Sequence, residues 1–345
     1  MVVQDLIAPF RCLSVLYHMP AAILDCRLAT LTARPSAEQV LQLEDVLHRE
    51  NHRQCAALAL ARRRRAMLAR RQCPHCHSHD VVRHGHDQNR RQRFRCRNCR
   101  RTYNVLTLTP LARARKPETW GRYLDCLTSY HSVREIVASG IGLHHVTVWR
   151  WRHRFLALLR DGNAALLRGV IEAEVCRFER SFKGSRGWRT GAPPAPRPAR
   201  RHARSGGAEA ECGGVPVLTA LDHGDSVYQA ILPAAAAVAP ALAGRIEAGS
   251  VLCSNNLAGY RRAADLAGAE HRSLGAASGL VAASSEPPAR LSLARVRAHH
   301  QSLRVLINGR CHGVATRYLG NYLAWHRAMI QPGFDARSLL GRALA

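Results

Sequence analysis

From Ser36 onward the apolar residues fall at helical spacing, with Val40, Leu43 and Leu47 on one face and Leu41 and Val46 beside them. Ser36 can cap this helix and Glu38 lies near its first turn, so residues 36–70 are predicted to form a short amphipathic helical module. Residues 1–35 are apolar without a clear period and predict only a poorly defined extension. A second helical region spans 110–165. Within it Ser132 to Phe155 has helix-turn-helix form: Val133, Ile136 and Val137 line one helix, Gly140 and Gly142 mark the turn, and Leu143 packs beneath. Val146, Trp149 and Phe155 are read as the apolar face of the second helix, with Arg150, Arg152, His153 and Arg154 on the other.

Beyond Gly169 the pattern changes to short apolar runs typical of strands, at Val170–Ala173, Val215–Leu221, Val227–Leu232, Val251–Cys253 and more weakly His271–Leu274. Helical runs at Val238–Ile246, Leu257–Leu266, Leu293–Ile307 and Val314–Met329 lie between or after them. Three strands, a helix, a strand, a helix, a strand and terminal helices predict an α/β domain with a mixed sheet over 168–335. The stretch 190–214, rich in Pro, Arg, Ala and Gly, reads as a disordered insertion, and 275–290 as a second loop.

Four cysteines stand apart from this pattern. Cys73-Pro74-His75-Cys76 and Cys96-Arg97-Asn98-Cys99 are two C-x-x-C turns separated by 19 residues. Each turn presents two thiolates to one ion, and two turns joined by a hairpin complete the tetrahedral shell of a structural zinc. Val81, Val82 and Phe94 flank the turn formers Asp87, Gln88 and Asn89, as a zinc-stapled hairpin over 71–109 requires. The histidines at 75, 77, 79, 84 and 86 are read as exposed or phosphate-facing rather than as ligands. The other eight cysteines fit the role of small buried hydrophobes.

At 345 residues the chain can hold two or three domains without disulfides. The opening MVVQDLIAPF lacks a basic n-region and no apolar stretch reaches bilayer length, so a cytoplasmic protein with no membrane partner is expected. A net charge of +27 implies a polyanionic partner, by default nucleic acid. The charge is uneven: residues 61–101 carry 14 Arg against Asp80 and Asp87, whereas residues 1–60 carry 5 Arg against 6 carboxylates. Arg91, Arg93 and Arg95 on the ribbon and Arg150, Arg152 and Arg154 on the second helix are therefore the candidate phosphate and groove contacts.

The segments CPHCHSHDVVRHGHDQNRRQRFRCRNCRRTYN, LTPLARARKPETW, SVREIVASGIGLHHVTVWRWRHRFL, IEAEVCRFERSFKGSR, VPVLTALD, VLCSNN and HGVATRYLGNYLAW resemble, in this order, bacterial insertion-sequence transposases with an N-terminal zinc ribbon. The resemblance covers roughly residues 36–330. It implies a DDE-type enzyme whose α/β domain is RNase H-like and holds two magnesium ions for strand cleavage and transfer. It further implies terminal inverted repeats of double-stranded DNA as partner, a homo-oligomer on DNA, and a nucleoid-associated location. Two-metal chemistry needs carboxylates that hold the ions about 3.5–4 Å apart.

All three implied ligand positions depart from the family. Glu174, in Glu172-Ala173-Glu174-Val175, stands where the family has Asp. Asn255, ending Val251-Leu252-Cys253-Ser254-Asn255, stands at the second Asp and keeps its shape without its charge. Aligning His300-Gln301-Ser302-Leu303-Arg304 to the family's last motif puts Arg297 at the third position, within one residue of register, and Arg304 at a basic position read as a phosphate contact. Asp222, ending the second strand, corresponds to none of the three. A guanidinium cannot ligate a metal, so cleavage is expected to be lost or severely weakened. The readings that follow are a transposase with impaired chemistry, a zinc-dependent DNA-binding repressor without catalysis, or a decayed relic.

Overall fold

Residue chemistry decides the longest element first: from Ala37 to Arg70 there is no glycine or proline, and the stretch is dominated by Ala, Leu, Arg, Gln and Glu. Such a run propagates as one helix, and the computed structural model has a single 34-residue helix α1 (Ala37–Arg70), about 50 Å long at 1.5 Å per residue. The short module expected over 36–70 is thus one continuous rod. It ends at Arg71, whose φ of 45° breaks the helical path. The model describes residues 37–114, 116, 119–160, 166–183, 214–255, 258–274 and 291–345; the extension 1–35, most of the insertion 190–214 and the loop 275–290 lie outside them. No helix among the described residues is long and apolar enough to cross a membrane.

The chain divides into two units, one running to Asp125 and including Ala336–Ala345, the other Cys126–Asp335. The sequence-based boundary near 165–168 falls inside the second unit. In the first unit, strands β1 (Val81–His86), β2 (Gln92–Cys96) and β3 (Thr102–Tyr103) form an antiparallel sheet in the order β1-β2-β3. Helix α2 (Trp120–Thr128) begins in this unit and closes on α1 through Gly121, where any Cβ would overlap the His52 side chain. A helix absent from the sequence reading, α9 (Ala336–Leu344), packs on α1, and Arg337 Nη2 donates to Asn51 Oδ1 at 3.0 Å.

The second unit is built on a five-stranded sheet. Its strands are β4 (Val170–Phe178), β5 (Val215–Asp222), β6 (Val227–Ile231), β7 (Val251–Ser254) and β8 (Glu270–Ser273), in the order β6-β5-β4-β7-β8. The pairs β4/β5 and β5/β6 are antiparallel, while β4/β7 and β7/β8 are parallel, so the mixed sheet expected over 168–335 is present. Period-two alternation sends Ile171, Ala173, Leu218, Ala220 and Leu252 to one face, under α5 (Val238–Leu242) and α6 (Ala258–Ala267). Cys176, Phe178, Val215 and Val217 meet Leu303, Leu319 and Leu323 of α7 (Ala294–Arg304) and α8 (Leu319–Met329) on the other. Helices on both faces explain why β5 is buried at every residue and reads as a continuous apolar run.

Helices α3 (Val133–Ala138) and α4 (His145–Ala157) belong to this unit. Ser132 caps α3 in a capping box with Glu135, and Gly140 and Gly142 turn the chain with φ of 71° and 69°. The buried stripe of α4 is Val148, Trp151, Arg152 and Phe155, packed towards α8; Trp149, expected inside, is 39% exposed.

Glu172 shows how the sheet fixes α7. The carboxylate is 1% exposed and accepts from Ser292 Oγ at 3.2 Å, Arg295 N at 2.9 Å and Val296 N at 3.1 Å. Leu293, the helix's own N-cap residue, offers no acceptor, so a strand carboxylate satisfies the first-turn amides and meets the positive end of the helix dipole. Glu172→Gln keeps the shape but turns one acceptor into a donor facing N–H groups. It is expected to destabilise the protein by about 1–3 kcal/mol, measured as a lower denaturant midpoint at unchanged slope; an unchanged midpoint would remove the cap from this account.

Candidate metal centre and nucleic-acid interface

The two cysteine turns close on each other because β1 and β2 carry them back to the same end of the hairpin. Val81 pairs with Cys96, and Asp87 Oδ1 accepts from Asn89 N at 2.8 Å and Arg91 N at 2.9 Å to hold the intervening turn. Each C-x-x-C turn is followed by a residue in the left-handed region, His77 with φ 58° and Arg100 with φ 58°. The returning chain is then bound by Cys73 N to Ser78 O at 2.9 Å and Cys96 N to Arg101 O at 3.0 Å. Within the turns His75 N faces Cys73 Sγ at 3.4 Å and Cys99 N faces Cys96 Sγ at 3.5 Å.

All four sulfurs lie within 4.8 Å of one another, with Cys73–Cys99 and Cys76–Cys96 each at 3.6 Å. A tetrahedral zinc with Zn–S of about 2.3 Å sets sulfurs about 3.8 Å apart, so the residues fit the ion. The sulfurs share their protons unequally: the Cys96 thiol is lowered to about 7, first by the Cys99 backbone N–H, while burial and the facing sulfurs push Cys76 up to about 11, so a cation is needed to hold all four as thiolates. The ligand group contains none of the ribbon histidines. When bound, zinc here supplies structure, with four protein ligands and no open position.

The seven candidate arginines separate once their surroundings are known. Arg95, Arg150 and Arg154 are exposed, and Arg93, donating to Thr102 Oγ1 at 3.4 Å, and Arg304 are half-buried. Arg91 turns inward: Nη1 donates to Ala114 O at 3.2 Å, lies 3.8 Å from Asp87 Oδ2, and the guanidinium sits 5.9 Å from the Trp120 ring centre. Arg152 is 2% exposed, donates to His131 O and lies 5.3 Å from the Trp325 ring centre. These two hold the fold together and do not face solvent as the sequence reading had them. Arg63 likewise leaves the Arg62–Arg65 run to donate to Val105 O at 2.7 Å and Leu344 O at 3.1 Å. Arg62, Arg64, Arg65, Arg70, Arg83, Arg97, Arg100 and Arg101 remain exposed around the ribbon and its approach.

In the second unit the register Ala173↔Ser254 leaves Glu174, midway along β4, level with Asn255, the residue that follows β7. Arg297, one turn into α7, reaches Glu174: Nε lies 3.5 Å from Oε1. His300 Nδ1 lies 3.8 Å from Oε2, and burial pushes this imidazole down to about 4, so it is neutral at pH 7 and the guanidinium is the cation beside Glu174. Asn255 Oδ1 is buried with no hydrogen-bond partner among the described residues. These three positions do not fit magnesium, which relies on carboxylates; one carboxylate, already paired with a cation, and one neutral amide are what the site offers. Asp222 is engaged elsewhere, accepting Ser226 N at 2.7 Å and Arg168 N at 3.2 Å.

The family model described as the InsA N-terminal domain, a zinc ribbon, matches residues 71–100, the segment that holds the four sulfurs. The ribbon supports metal-binding, nucleic-acid-binding and insertion-sequence themes for this chain. A comparison with curated proteins finds no match.

Because the ribbon's own core is small, zinc removal is expected to unfold it. Chelation of the purified protein, or Cys76→Ser, should release about one equivalent of thiolate-bound metal and abolish the near-ultraviolet signal of the stacked Phe94–Tyr103 pair, while far-ultraviolet helix content is largely kept. A ribbon signal that survives complete metal removal would contradict this.

Proposed function

We propose that this chain is an insertion-sequence protein of the transposase lineage that binds the terminal repeats of double-stranded DNA through its ribbon and helix-turn-helix, without two-metal strand cleavage. One observation carries the reading: a four-sulfur ribbon of the InsA type is ringed by exposed arginines with only Asp80 and Asp87 among them. Guanidinium groups on a zinc-fixed hairpin supply the positive charge and the forked donors that phosphate oxygens accept. The strand order β6-β5-β4-β7-β8 with helices on both faces supports an RNase H-like ancestry for the second unit. The exposed Arg150 and Arg154 on α4 are the proposed groove contacts of that unit, and Arg304 a phosphate contact.

Loss of cleavage follows from the chemistry of three side chains. An Arg297 guanidinium 3.5 Å from the Glu174 carboxylate occupies electrostatically the place where a divalent cation would need to sit. Asn255 adds no charge to attract one. The protein then acts by occupying DNA, which makes it a competitor of active relatives at the same repeats.

Two measurements test the proposal together. Fluorescence anisotropy with a duplex selected from random sequence should give affinity that falls about 10³-fold or more between 50 and 200 mM salt, as six or more phosphate contacts require. Arg95→Gln or Arg154→Gln should each flatten the log–log salt slope by about one. Incubation of the same complexes with magnesium or manganese should leave the DNA uncut. Salt-insensitive binding would remove the DNA-binding reading, and Glu174-dependent nicking would remove the inactive one.

A further inference from the structure

Outside the ribbon, one other cluster among the described residues can gather around a cation: His48, His52 and Asp125. His48 and His52 are four residues apart on α1, so both rings project from one helix face, a spacing that lets two imidazoles chelate one ion. Asp125 comes from α2 within the same unit. It is one turn beyond Gly121, and because position 121 carries no Cβ, α2 approaches closely enough for Asp125 to meet His52. One ligand atom from each of the three residues lies within 4.8 Å of the other two.

We infer that these three side chains form a second metal site, distinct from the cysteine tetrad, that takes zinc or a similar divalent transition ion. Two imidazole nitrogens and one carboxylate oxygen are donors for such ions and not for magnesium or calcium, which prefer oxygen throughout. Three protein ligands leave at least one coordination position open. His52 Nε2 and Asp125 Oδ2 are in direct contact, so two donor atoms already face one point. The two donor atoms separate to admit an ion, and His48, whose side chain is 64% exposed, rotates to complete the set. Glu44, one turn earlier and 4.0 Å from His48 Nε2, is the competing partner for that ring. The bound ion clips the middle of α1 to the middle of α2, one turn from the point where Gly121 packs against His52. This inference is independent of the DNA-binding reading.

Metal content of the full chain after zinc loading and dialysis, read by atomic emission, tests it. Two zinc ions per chain are expected. His48→Ala with Asp125→Asn should leave one, and because both side chains are substantially exposed, 64% and 42%, circular dichroism should show the fold intact. His84→Ala, an exposed ribbon histidine, should leave two. Cobalt substitution separates the sites: the ribbon gives sulfur-to-cobalt charge-transfer bands, and the second ion gives only weak d–d bands that vanish in the double variant. One zinc per chain in the unsubstituted protein, or two that persist in the folded double variant, would overturn the assignment.

Discussion

Four sulfurs held within 4.8 Å of one another are the constraint on which the first unit depends. As thiolates they repel, and the apolar material around them is slight: Cys73, Cys96 and Tyr103 are buried, with Met67, Val81 and Phe94 packed against them. A core of that size cannot by itself offset the conformational entropy of ordering the hairpin and its knuckles. A divalent cation reverses the sign of the interaction at the centre and makes the metal part of the fold. Met67 belongs to α1, so the same cluster joins the long helix to the ribbon, and the Phe94–Tyr103 pair, with ring centres 5.6 Å apart, extends it along the sheet. Because strand residues alternate, placing Phe94 and Cys96 on the metal side sends Arg93 and Arg95 to the other. The charge display is therefore a geometric consequence of the metal site.

The second unit places two carboxylates on the same face of β4, and their fates differ. Glu172 is buried and held by the first-turn amides of α7, while Glu174 is only 19% exposed and faces a guanidinium from that same helix. A single helix thus neutralises both, once with its dipole and backbone and once with Arg297. Two acidic groups two residues apart on a strand, in a low-dielectric setting, need such compensation whatever their ancestry. Arg297 supplies with its own side chain the positive charge that a bound cation would bring, and it does so permanently, since arginine is not deprotonated in proteins.

Local chemistry was readable in the sequence, and the tertiary partners of long side chains were not. The C-x-x-C spacing specifies ligands within a few residues of each other, and the strands from Val170 to Ser273 are visible because burial on both faces leaves a continuous apolar run and burial on one leaves an alternation. The face of α4 was misplaced because its alternating aromatic and basic residues allow two stripes a hundred degrees apart, and the choice belongs to α8, whose Trp325 accepts Arg152 where an apolar side chain was expected. The helix Ala336–Leu344 gave no distinct signal, since its partner α1 is nearly three hundred residues away. The His48–His52–Asp125 group was hidden for the same reason: its third member comes from another helix.

Arginine is the residue on which sequence reasoning was least discriminating, and the cause is physical. Its stem is apolar and long, its head carries five donors, and it can therefore cap carbonyl groups, lie over an aromatic ring or face solvent with little change in local pattern. Arg63 binds the carbonyl groups of Val105 and Leu344, Arg91 those of Ala114 near the Trp120 ring, and Arg152 that of His131 against Trp325. Each removes one positive charge from the surface while fixing loops that would otherwise leave carbonyl groups unsatisfied. The arginines that stay exposed around the ribbon are Arg62, Arg64, Arg65 and Arg70 on α1 with Arg83, Arg95, Arg97, Arg100 and Arg101. Asp80 answers one of them, with Arg97 Nε at 3.9 Å from its carboxylate, a weak exposed pair that a phosphate can displace. Residues 61–101 carry 14 Arg against Asp80 and Asp87, and those that stay outward can exchange counterions for a polyanion, which is the physical basis for reading this face as the one that meets nucleic acid.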